Sequence, residues 1–309
     1  MKVLVTGGAG FIGSHVVDLY VDHGYKVVVV DDLSTGRILN LNPAAKLYEI
    51  DIRSAKLAEI FEHERPDFVN HHAAQIDVRR SVEDPLFDAE VNILGSLNLI
   101  EFAREFQVQR FVYVSTGGAV YGEPEYLPCD ERHSIKPICQ YGASKHTVEH
   151  YLYMYHVNYG LDYTVLRYPN VYGPRQDPHG EAGVIAIFIG QMLNGGSAMI
   201  NGDGEQTRDF VFVKNIVNAN LLACKADSGF GQAINLGSGK ETSVNRILML
   251  INKYLNKQIK PVFDSERKGE LRRSCSDNSK SEKILGYKEK HGFEEGLKAT
   301  INWVKQRNK

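Results

Sequence analysis

The sequence predicts an α/β protein built on a doubly wound parallel sheet, followed by a smaller C-terminal lobe. Strand-like and helix-like hydrophobic patterns alternate through the first half of the 309 residues, which is typical of a parallel sheet with helices on both faces. After about residue 168 the pattern changes to glycine- and proline-rich loops with short strands between them. We therefore expect one domain at residues 1–168 and a substrate-binding lobe at 169–309, with some segments of the lobe returning to the first domain.

The chain begins with a strand, a glycine turn and a helix. Residues 1–6 are a short apolar strand, and a helical pattern runs on to His23 after three glycines at three-residue spacing, Gly7, Gly10 and Gly13. A helix N-terminus offers unpaired N–H groups and a positive dipole end, and missing Cβ atoms let a pyrophosphate approach them. Such a pattern alone is weak evidence, but here it stands at the first βα turn.

An acidic residue follows the second predicted strand. This strand covers Val27–Val30 and ends at Asp31, eighteen residues after Gly13. A carboxylate at this place can accept hydrogen bonds from the adenosine ribose hydroxyls and would repel a 2′-phosphate. The sequence therefore predicts a dinucleotide site of the Rossmann type that takes NAD rather than NADP.

The later elements continue the alternation. Strands are predicted at 47–50, 68–72, 111–115, 163–167, 210–213 and 233–236, and helices at 54–65, 85–106, 141–159, 244–254 and 293–306. Ligands of doubly wound sheets bind beyond the carboxyl ends of the strands. We therefore expect one crevice, lined by residues 7–13, Asp31, Asp51 with Ile52, Ala73 with Ala74, and Ser115 with Thr116.

Composition argues against several other classes of protein. The formal net charge is −2 and no run of lysine or arginine stands out, so we expect neither nucleic acid nor an anionic membrane as a partner. The four cysteines lack C-x-x-C spacing, which indicates a reducing cytoplasm. No signal peptide is recognisable, and the longest apolar segment, 182–193, is too short to span a bilayer. His71 and His72 would point to opposite faces of a strand, and we predict no metal site.

A second chemical motif stands at the start of the helix predicted at 141–159. Tyr141 and Lys145 are four residues apart and share a helix face near the crevice. A tyrosine is a poor base at neutral pH, but a nearby ammonium and the positive charge of an oxidised nicotinamide would favour its phenolate form. Ser115 or Thr116, at the carboxyl end of a strand, can donate a hydrogen bond to a substrate oxygen. The Tyr/Lys spacing occurs often by chance, but its position after a nucleotide-binding half favours its interpretation as a catalytic pair.

Six segments carry a resemblance to a known family: 6–13, 72–74, 115–116 with 120–122, Tyr141 with Lys145, 167–174, and 202–210. Together they resemble the extended short-chain dehydrogenase/reductases, and within them the UDP-sugar 4-epimerases of the UDP-glucose 4-epimerase type. The resemblance extends over nearly the whole chain, to about Trp303. The glycine and Tyr/Lys motifs identify only the superfamily, whereas the later motifs are specific for a nucleotide sugar.

This resemblance implies NAD as cofactor and a set of residues that contact it: Gly7, Gly10, Phe11, Ile12, Gly13, Asp31, Asp32, Ser34, Thr35, Gly36, Asp51, Ile52, His72, Ala73, Ala74, Gln75, Asn92, Tyr141, Lys145 and Tyr168. Lys145 would bind the nicotinamide ribose. Tyr141 would take the proton of the sugar's 4-hydroxyl as hydride passes from carbon 4 to NAD. It would return the proton after the bound 4-keto sugar has rotated and presents its opposite face. The net reaction would invert one stereocentre and regenerate the cofactor.

The resemblance also implies residues that would hold the UDP-sugar: Thr116, Tyr141, Asn170, Val184, Asn201, Arg208, Arg267 and Ser274. The planar fork of donors on arginine suits a diphosphate, while surface ion pairing is the alternative for Arg208 and Arg267. Ser274 aligns with a position that is bulky in some epimerases and small in others. A small residue leaves space for a 2-N-acetyl group, so UDP-N-acetylglucosamine and UDP-N-acetylgalactosamine are possible substrates beside UDP-glucose and UDP-galactose.

One position departs from the family pattern. Many members carry a third hydroxyl where this chain has Gly117, so the hydroxyl that assists Tyr141 comes from Thr116 or Ser115, and we favour Thr116. Related 4,6-dehydratases and decarboxylases carry an acidic residue just after their Ser/Thr, and residues 117–119 supply none. This favours simple epimerisation of a UDP-hexose.

Alternatives to this function and to the expected assembly remain open. UDP-glucuronate 4-epimerase, or another nucleotide-sugar enzyme of the same fold, is the nearest rival, and a non-catalytic nucleotide-sensing or scaffold protein is a rival of another class. The intact Tyr141/Lys145 pair argues against the latter. We also expect a homodimer, in which outward apolar residues of the helices at 85–106 and 141–159 form a four-helix seam, as the family suggests. The alternative is that those residues face the sheet.

Overall fold

The computed structural model describes residues 1–178, 183–226, 229–266 and 271–307. Within these ranges the strands are β1 (Lys2–Thr6), β2 (Lys26–Asp31), β3 (Lys46–Glu49), β4 (Phe68–His71), β5 (Arg110–Thr116), β6 (Tyr163–Tyr168), β7 (Asn170–Tyr172), β8 (Ala198–Asn201), β9 (Thr207–Arg208), β10 (Phe210–Phe212), β11 (Gln232–Asn235), β12 (Thr242–Ser243) and β13 (Pro261–Asp264).

Helices connect most of these strands. They are α1 (Phe11–Asp22), α2 (Leu57–Glu64), α3 (Val78–Glu83), α4 (Pro85–Ala89), α5 (Ser96–Glu105), α6 (Gln140–Tyr159), α7 (Val184–Leu193), α8 (Val213–Lys225), α9 (Val244–Leu255), α10 (Ser279–Leu285) and α11 (Phe293–Arg307). A short 3₁₀ turn covers Ile38–Asn40, and a π-helical stretch, Glu90–Gly95, joins α4 to α5. None of the helices in the described ranges is both long and apolar enough to cross a bilayer.

Seven strands form one central sheet in the order β11-β6-β5-β4-β1-β2-β3. Every neighbouring pair in it is parallel. The predicted doubly wound parallel sheet is therefore confirmed. Because all seven strands run the same way, their carboxyl ends meet at one edge, where ligands of such sheets bind. The remaining strands pair in small two-stranded sheets: β7 with β10, β8 with β13, and β9 with β12.

Strands β1 and β2 are buried on both faces, which explains why they are almost uninterrupted apolar runs, whereas the edge strand β3 is only partly buried. Val3 and Val5 of β1 point into one apolar cluster, with α1, α7, α8 and α9 around it. Leu4, between them, points into a second cluster that includes residues of α2, α5 and α6. The alternation of side chains along a strand thus divides the core into two layers.

Strand β11 adds to the sheet beside β6, so a segment of the second half returns to the first, and α8 packs against α1. The cluster around Val3 and Val5 continues into α7 with Ile185 and Phe188. The C-terminal half is thus packed on the sheet through a continuous apolar layer. The domain boundary at residue 168 stays a prediction.

Candidate active site

The glycine turn between β1 and α1 has no room for side chains. Gly7 has φ +66°, and a Cβ there would lie 2.7 Å from the backbone nitrogen of Ala73. A Cβ on Gly13 would lie 2.1 Å from the carbonyl oxygen of Gly7. Gly10 precedes α1, whose N-terminus has no side-chain cap. The first N–H groups of the helix, starting at Phe11 and Ile12, therefore point into an open cradle that suits a pyrophosphate.

Asp31 lies at the carboxyl end of β2, directly beside this turn. Its carboxylate accepts hydrogen bonds from the backbone N–H groups of Ala9, at 2.8 Å, and Leu33, at 2.9 Å. Burial raises the pKa of Asp31, and these two hydrogen bonds oppose the rise. A Cβ on Gly36 would lie 2.5 Å from Asp31 Oδ1. The loop after β2 is thus folded tightly around the carboxylate, which keeps lone pairs for a ribose hydroxyl.

The same loop carries three more residues of the predicted cofactor site. The Ser34 N–H and hydroxyl both donate to Asp32 Oδ1, at 3.0 and 2.6 Å. Thr35 follows them in the turn before Gly36. These residues order the loop at the predicted adenosine end of the cradle.

Asp51 follows β3 and is paired with an arginine that the sequence analysis did not single out. Arg53 donates to Asp51 through its backbone N–H at 2.7 Å and its guanidinium at 2.6 Å. The Arg53 hydrogen bonds lower the pKa of Asp51 and outweigh the opposing effect of burial. Ile52 is buried, with its side chain against Gly95.

The loop after β4 is fixed by reciprocal hydrogen bonds. The Gln75 N–H donates to Asn92 Oδ1, and Asn92 Nδ2 donates to the Gln75 carbonyl, both at 2.9 Å. The Ala73 N–H donates to the Thr6 hydroxyl at 3.1 Å. Asn92 lies in the π-helical stretch, so the irregular turn of that helix places its side chain against the loop.

His72 and Tyr168 complete the predicted cofactor site. Their rings lie 6.2 Å apart between centroids, at the ends of β4 and β6. The Tyr168 hydroxyl accepts a 2.6 Å hydrogen bond from Asn220 in α8. Ala74 continues the loop between Ala73 and Gln75. The structure thus brings predicted cofactor residues from several strand ends to one edge of the sheet, while their contacts with NAD stay predictions.

Tyr141 and Lys145 lie on the inner face of the first turns of α6. Lys145 is 3% exposed, and its Nζ is 4.4 Å from the ring centroid of Tyr113. Burial lowers the pKa of Lys145 to about 7, although Glu149 and Asp88 favour its charged form. Lys145 therefore faces the sheet, and Tyr141, four residues earlier, lies on the same face of the helix.

The pKa of Tyr141 runs against the sequence-based expectation. Burial raises it above its usual value, and Cys139 and Asp88 add to the rise. We expected the Lys145 ammonium together with the charge of an oxidised nicotinamide to favour the phenolate, but in the protein alone desolvation dominates and favours the neutral phenol. The effect of the nicotinamide charge stays a prediction.

The two candidate hydroxyls at the end of β5 have different surroundings. The Ser115 hydroxyl donates to Glu149 Oε1 at 2.6 Å, within a buried cluster in which Arg167 Nη2 lies 2.5 Å from Glu149 Oε2. Thr116 is 9% exposed, and its hydroxyl has no hydrogen bond to any residue that the structure describes. Of the two, Thr116 therefore has the hydroxyl that is available to a ligand.

The predicted sugar-nucleotide residues lie on several elements of the C-terminal half. Asn170 begins β7, and a Cβ on Gly118 would lie 3.8 Å from its Oδ1, so it stands beside the end of β5. Val184 is the first residue of α7. Asn201 ends β8 and donates to the Ser265 carbonyl at 3.3 Å.

Arg208 and Ser274 lie close together. Arg208, in β9, donates through Nη1 to the Thr207 carbonyl at 2.8 Å. The Ser274 N–H donates to the same carbonyl oxygen at 3.2 Å. Arg267 lies outside the described residues.

Asp209 is a buried residue of this region that the sequence analysis did not assign. Its carboxylate accepts hydrogen bonds from the Ser238 hydroxyl at 2.7 Å and the Ser276 N–H at 3.2 Å. A Cβ on Gly117 would lie 3.2 Å from the Ser276 hydroxyl. Asp209 thus ties the segment that carries Ser274 to the end of β5. Its position directly after Arg208 in the motif was the available signal.

Comparisons with known proteins identify the family. The model of the NAD-dependent epimerase/dehydratase family matches residues 3–237. The crystal structure of Thermotoga maritima UDP-glucose 4-epimerase with UDP-glucose has a TM-score of 0.98 and 46% identity, covering 100% of both chains. Thermus thermophilus UDP-glucose 4-epimerase with NAD has a TM-score of 0.93 and 41% identity over 99% of both chains. Methanobrevibacter ruminantium UDP-N-acetylglucosamine 4-epimerase with UDP-N-acetylmuramic acid has a TM-score of 0.94 and 38% identity, over 99% of this chain and 98% of the other.

The cradle fits NAD on its own geometry. Added Cβ atoms at Gly7 and Gly13 would collide with backbone, the helix N-terminus is uncapped, and Asp31 stands where it would repel a 2′-phosphate. The resemblance that the motifs predicted is confirmed, as is NAD as the cofactor. The chain belongs to the NAD-dependent epimerase/dehydratase family.

Proposed function

We propose that this protein is an NAD-dependent UDP-hexose 4-epimerase, an isomerase that interconverts UDP-glucose and UDP-galactose through a transient 4-keto sugar. The observation that carries the proposal is the Tyr141/Lys145 pair at the start of α6, facing the edge of the sheet where the dinucleotide cradle lies. Residues 117–119, directly after Thr116, contain no acid. The similarity to epimerases along the full chain supports the same reaction.

NAD, when bound, accepts a hydride from carbon 4 of the sugar and returns it to the opposite face. Tyr141 takes the proton of the 4-hydroxyl and later returns it, as a general base and then a general acid. Lys145 binds the nicotinamide ribose and adds positive charge near the phenol. The free hydroxyl of Thr116 donates a hydrogen bond to the same sugar oxygen and orients it toward Tyr141.

Epimerisation needs a sugar that can turn while its diphosphate stays bound. Asn170, Asn201 and Arg208 lie in β7, β8 and β9, and we assign them, with Val184 and Arg267, to the binding of the UDP part. Arginine forms charge-assisted and often bidentate hydrogen bonds with a diphosphate. The sugar end faces Thr116 and residues 117–119, which are small and leave room for rotation.

Ser274 bears on the range of sugars. Its side chain is small, and the segment that holds it is fixed by hydrogen bonds to Thr207 and, through Ser276, to Asp209. Space beside the 2-position favours UDP-N-acetylglucosamine and UDP-N-acetylgalactosamine as further substrates, as does the likeness to an epimerase named for UDP-N-acetylglucosamine. UDP-glucuronate is the alternative substrate.

The proposed assembly is a homodimer in the cytoplasm. Large side chains on the helical segments from 85 to 95 and on α6 are more than half exposed, among them Leu86 of α4, Leu94 of the π-helical stretch, and Tyr153 and Val157 of α6. They lie on neighbouring helical segments, since both α4 and the π-helical stretch pack against α6. A second copy related by a two-fold axis would cover both segments in a four-helix seam.

Product analysis tests the proposed function. The protein is incubated separately with UDP-glucose, UDP-N-acetylglucosamine and UDP-glucuronate, and the products are resolved by chromatography. We expect UDP-galactose from the first without net accumulation of NADH.

Tyr141→Phe should retain NAD and lose about 1,000-fold or more in turnover, because it lacks the proton carrier. Tyr159→Phe, at an exposed tyrosine at the far end of the same helix, is the control and should keep wild-type activity. Turnover in Tyr141→Phe close to that of the control would contradict the mechanism.

A further inference from the structure

Asp88 is a buried carboxylate that the sequence analysis did not single out and the proposed reaction does not use. It lies in α4 and is 1% exposed. Its Oδ1 accepts hydrogen bonds from Asn92 Nδ2 at 2.9 Å and Gln75 Nε2 at 3.1 Å. Both donors are neutral amides, and Asp88 forms no ion pair with any described residue. A cation near a buried carboxylate lowers the cost of burying its charge.

The hydrogen bonds of Asp88 lead toward Lys145. Asn92 Nδ2 lies 3.3 Å from the hydroxyl of Ser144, the residue before Lys145 on α6. Lys145 is almost fully buried and likewise forms no ion pair within the described ranges. The charge of Asp88 favours the ammonium form of Lys145. This network thus ends at Ser144, the neighbour of Lys145 in the chain, and Asp88 and Lys145 lie on helices that pack against each other, α4 and α6.

Other titratable groups face Lys145 from β4, β5 and α6. His71 and His72 are neutral, because burial lowers the pKa of His71 well below its usual range and that of His72 to about 3. Tyr113 and Tyr141 are neutral because burial raises their pKa. Glu149 favours the lysine charge but is already paired with Arg167 at 2.5 Å. Among the described carboxylates that act on Lys145, Asp88 is therefore the one without an arginine partner.

We propose that Asp88 is a positioning residue of this active site, which keeps Lys145 as an ammonium and, through Asn92, holds the loop after β4 on the cofactor side. The proposal rests on the proposed function only in that Lys145 works in its charged form. Gln75 and Asn92 belong to the predicted NAD site, and both are bonded to Asp88 Oδ1. One carboxylate thus couples the charge of the lysine to the shape of the cofactor loop.

The pH profile of epimerisation separates this role from a merely structural one. Asp88→Asn keeps the size of the side chain and an oxygen that accepts from Gln75 and Asn92. Loss of the charge should make Lys145 lose its proton at lower pH, so the alkaline limb of the kcat profile should move down by about one pH unit. Glu90→Gln, an exposed carboxylate on the adjoining turn, is the matched control and should leave the limb in place. A profile of Asp88→Asn that coincides with the control, whatever its thermal stability, would overturn the proposal.

A double-mutant cycle tests the same pairing without turnover. The urea midpoints of wild type, Asp88→Asn, Lys145→Met and the double variant are compared at pH 6, where Lys145 is charged. We expect the midpoint shift caused by Asp88→Asn to fall by at least half in the Lys145→Met background, because there the carboxylate has no cation left to compensate. Additive shifts would refute the coupling. The outcome does not depend on which sugar, if any, the protein epimerises.

Discussion

Lys145 is assigned a role in the reaction, and the burial of its ammonium lowers the stability of the fold. Its ammonium is almost completely buried, and burial lowers its pKa from the ordinary 10.5 to about 7. The folded protein thus binds this proton less tightly than the unfolded chain does. A group of this kind destabilises the fold whenever the unfolded chain is protonated, so the active site is maintained at the expense of stability.

Lys145→Met should therefore stabilise the protein while abolishing its activity. Below about pH 7 both the folded and the unfolded wild type carry the proton, and the full penalty applies. Between about 7 and 10.5 the unfolded chain binds more protons, so the stability of wild type rises with pH relative to the variant. We expect Lys145→Met to raise the free energy of unfolding by about 4 kcal/mol at pH 6.5, because a pKa lowered from 10.5 to about 7 costs about 1.4 kcal/mol for each pH unit.

Urea unfolding at pH 6.5, 8 and 9.5 measures this difference. The advantage of Lys145→Met should shrink at each step. Lys298→Met, at an exposed position of α11, is the control, and its stability difference should be the same at the three pH values. An advantage that is constant across the three pH values would show that packing of the methionine, and not the proton, is responsible.

Site residues could be predicted from the sequence where their role depends on their place in one strand or helix. Asp31 follows its strand and Tyr141 and Lys145 share one helix face, so spacing alone placed them at the sheet edge. Asp88 and Asp209 were not singled out, because they also bond residues on other elements: Asp88 bonds Gln75, and Asp209 bonds Ser238 and Ser276. Likewise, the choice between Ser115 and Thr116 depended on Glu149, a partner on another element that no spacing rule relates to β5.

At the scale of the element, the turn between β1 and α1 requires glycine, because it has no room for a Cβ atom at Gly13. A Cβ at Gly13 would lie 2.1 Å from the Gly7 carbonyl oxygen, which itself accepts the Gly10 N–H at 3.1 Å. Alanine is the better helix former, so propensity alone would favour it at this position of α1. The close contact outweighs that preference, because backbone cannot move aside as a flexible side chain can.

Gly13→Ala should therefore open the turn and release the cofactor. We expect a loss of about 2 kcal/mol in the free energy of unfolding, typical of an overpacked site, and NAD content well below that of wild type after gel filtration. The control is Gly292→Ala, where an added Cβ would meet nothing within 4 Å. This variant should keep its NAD and remain within about 0.5 kcal/mol of wild type. Equal NAD retention in both variants would show that the turn does not form the cradle.

The elements predicted from periodicity were those with a clear pattern. Buried parallel strands are continuous apolar runs, so β1, β2 and β5 were found to within one or two residues. The predicted helix at 85–106 proved to be α4, the π-helical stretch and α5 in succession, because the buried bonds of Asn92 reshape the middle turn. Helices α7 and α8 were not predicted. Asn215 and Asn220, both buried in α8, interrupt the apolar pattern of that helix because they bond groups outside it.

At the scale of the whole molecule, large apolar side chains remain exposed on α4, the π-helical stretch and α6. The side chains of Leu94 and Val157 are 58% and 62% exposed although they lie on helices that pack on the sheet. The alternative that the outward apolar residues merely face the sheet does not apply to these two. A patch shared by two neighbouring helical segments is a common site for a self-complementary interface.

Val157→Glu should therefore convert the proposed dimer to a monomer. A charge placed in an apolar seam is desolvated on both sides of the two-fold axis, so each dimer would bury two unpaired carboxylates. Sedimentation velocity should give a mass near 69 kDa for wild type, about twice the 34.7 kDa of the chain, and near 35 kDa for the variant. Phe263→Glu, on β13 and 56% exposed, is the control, because it adds the same charge to an apolar site away from α6. Should Val157→Glu sediment with the wild-type mass, the seam lies elsewhere, and a wild-type monomer would remove the dimer altogether.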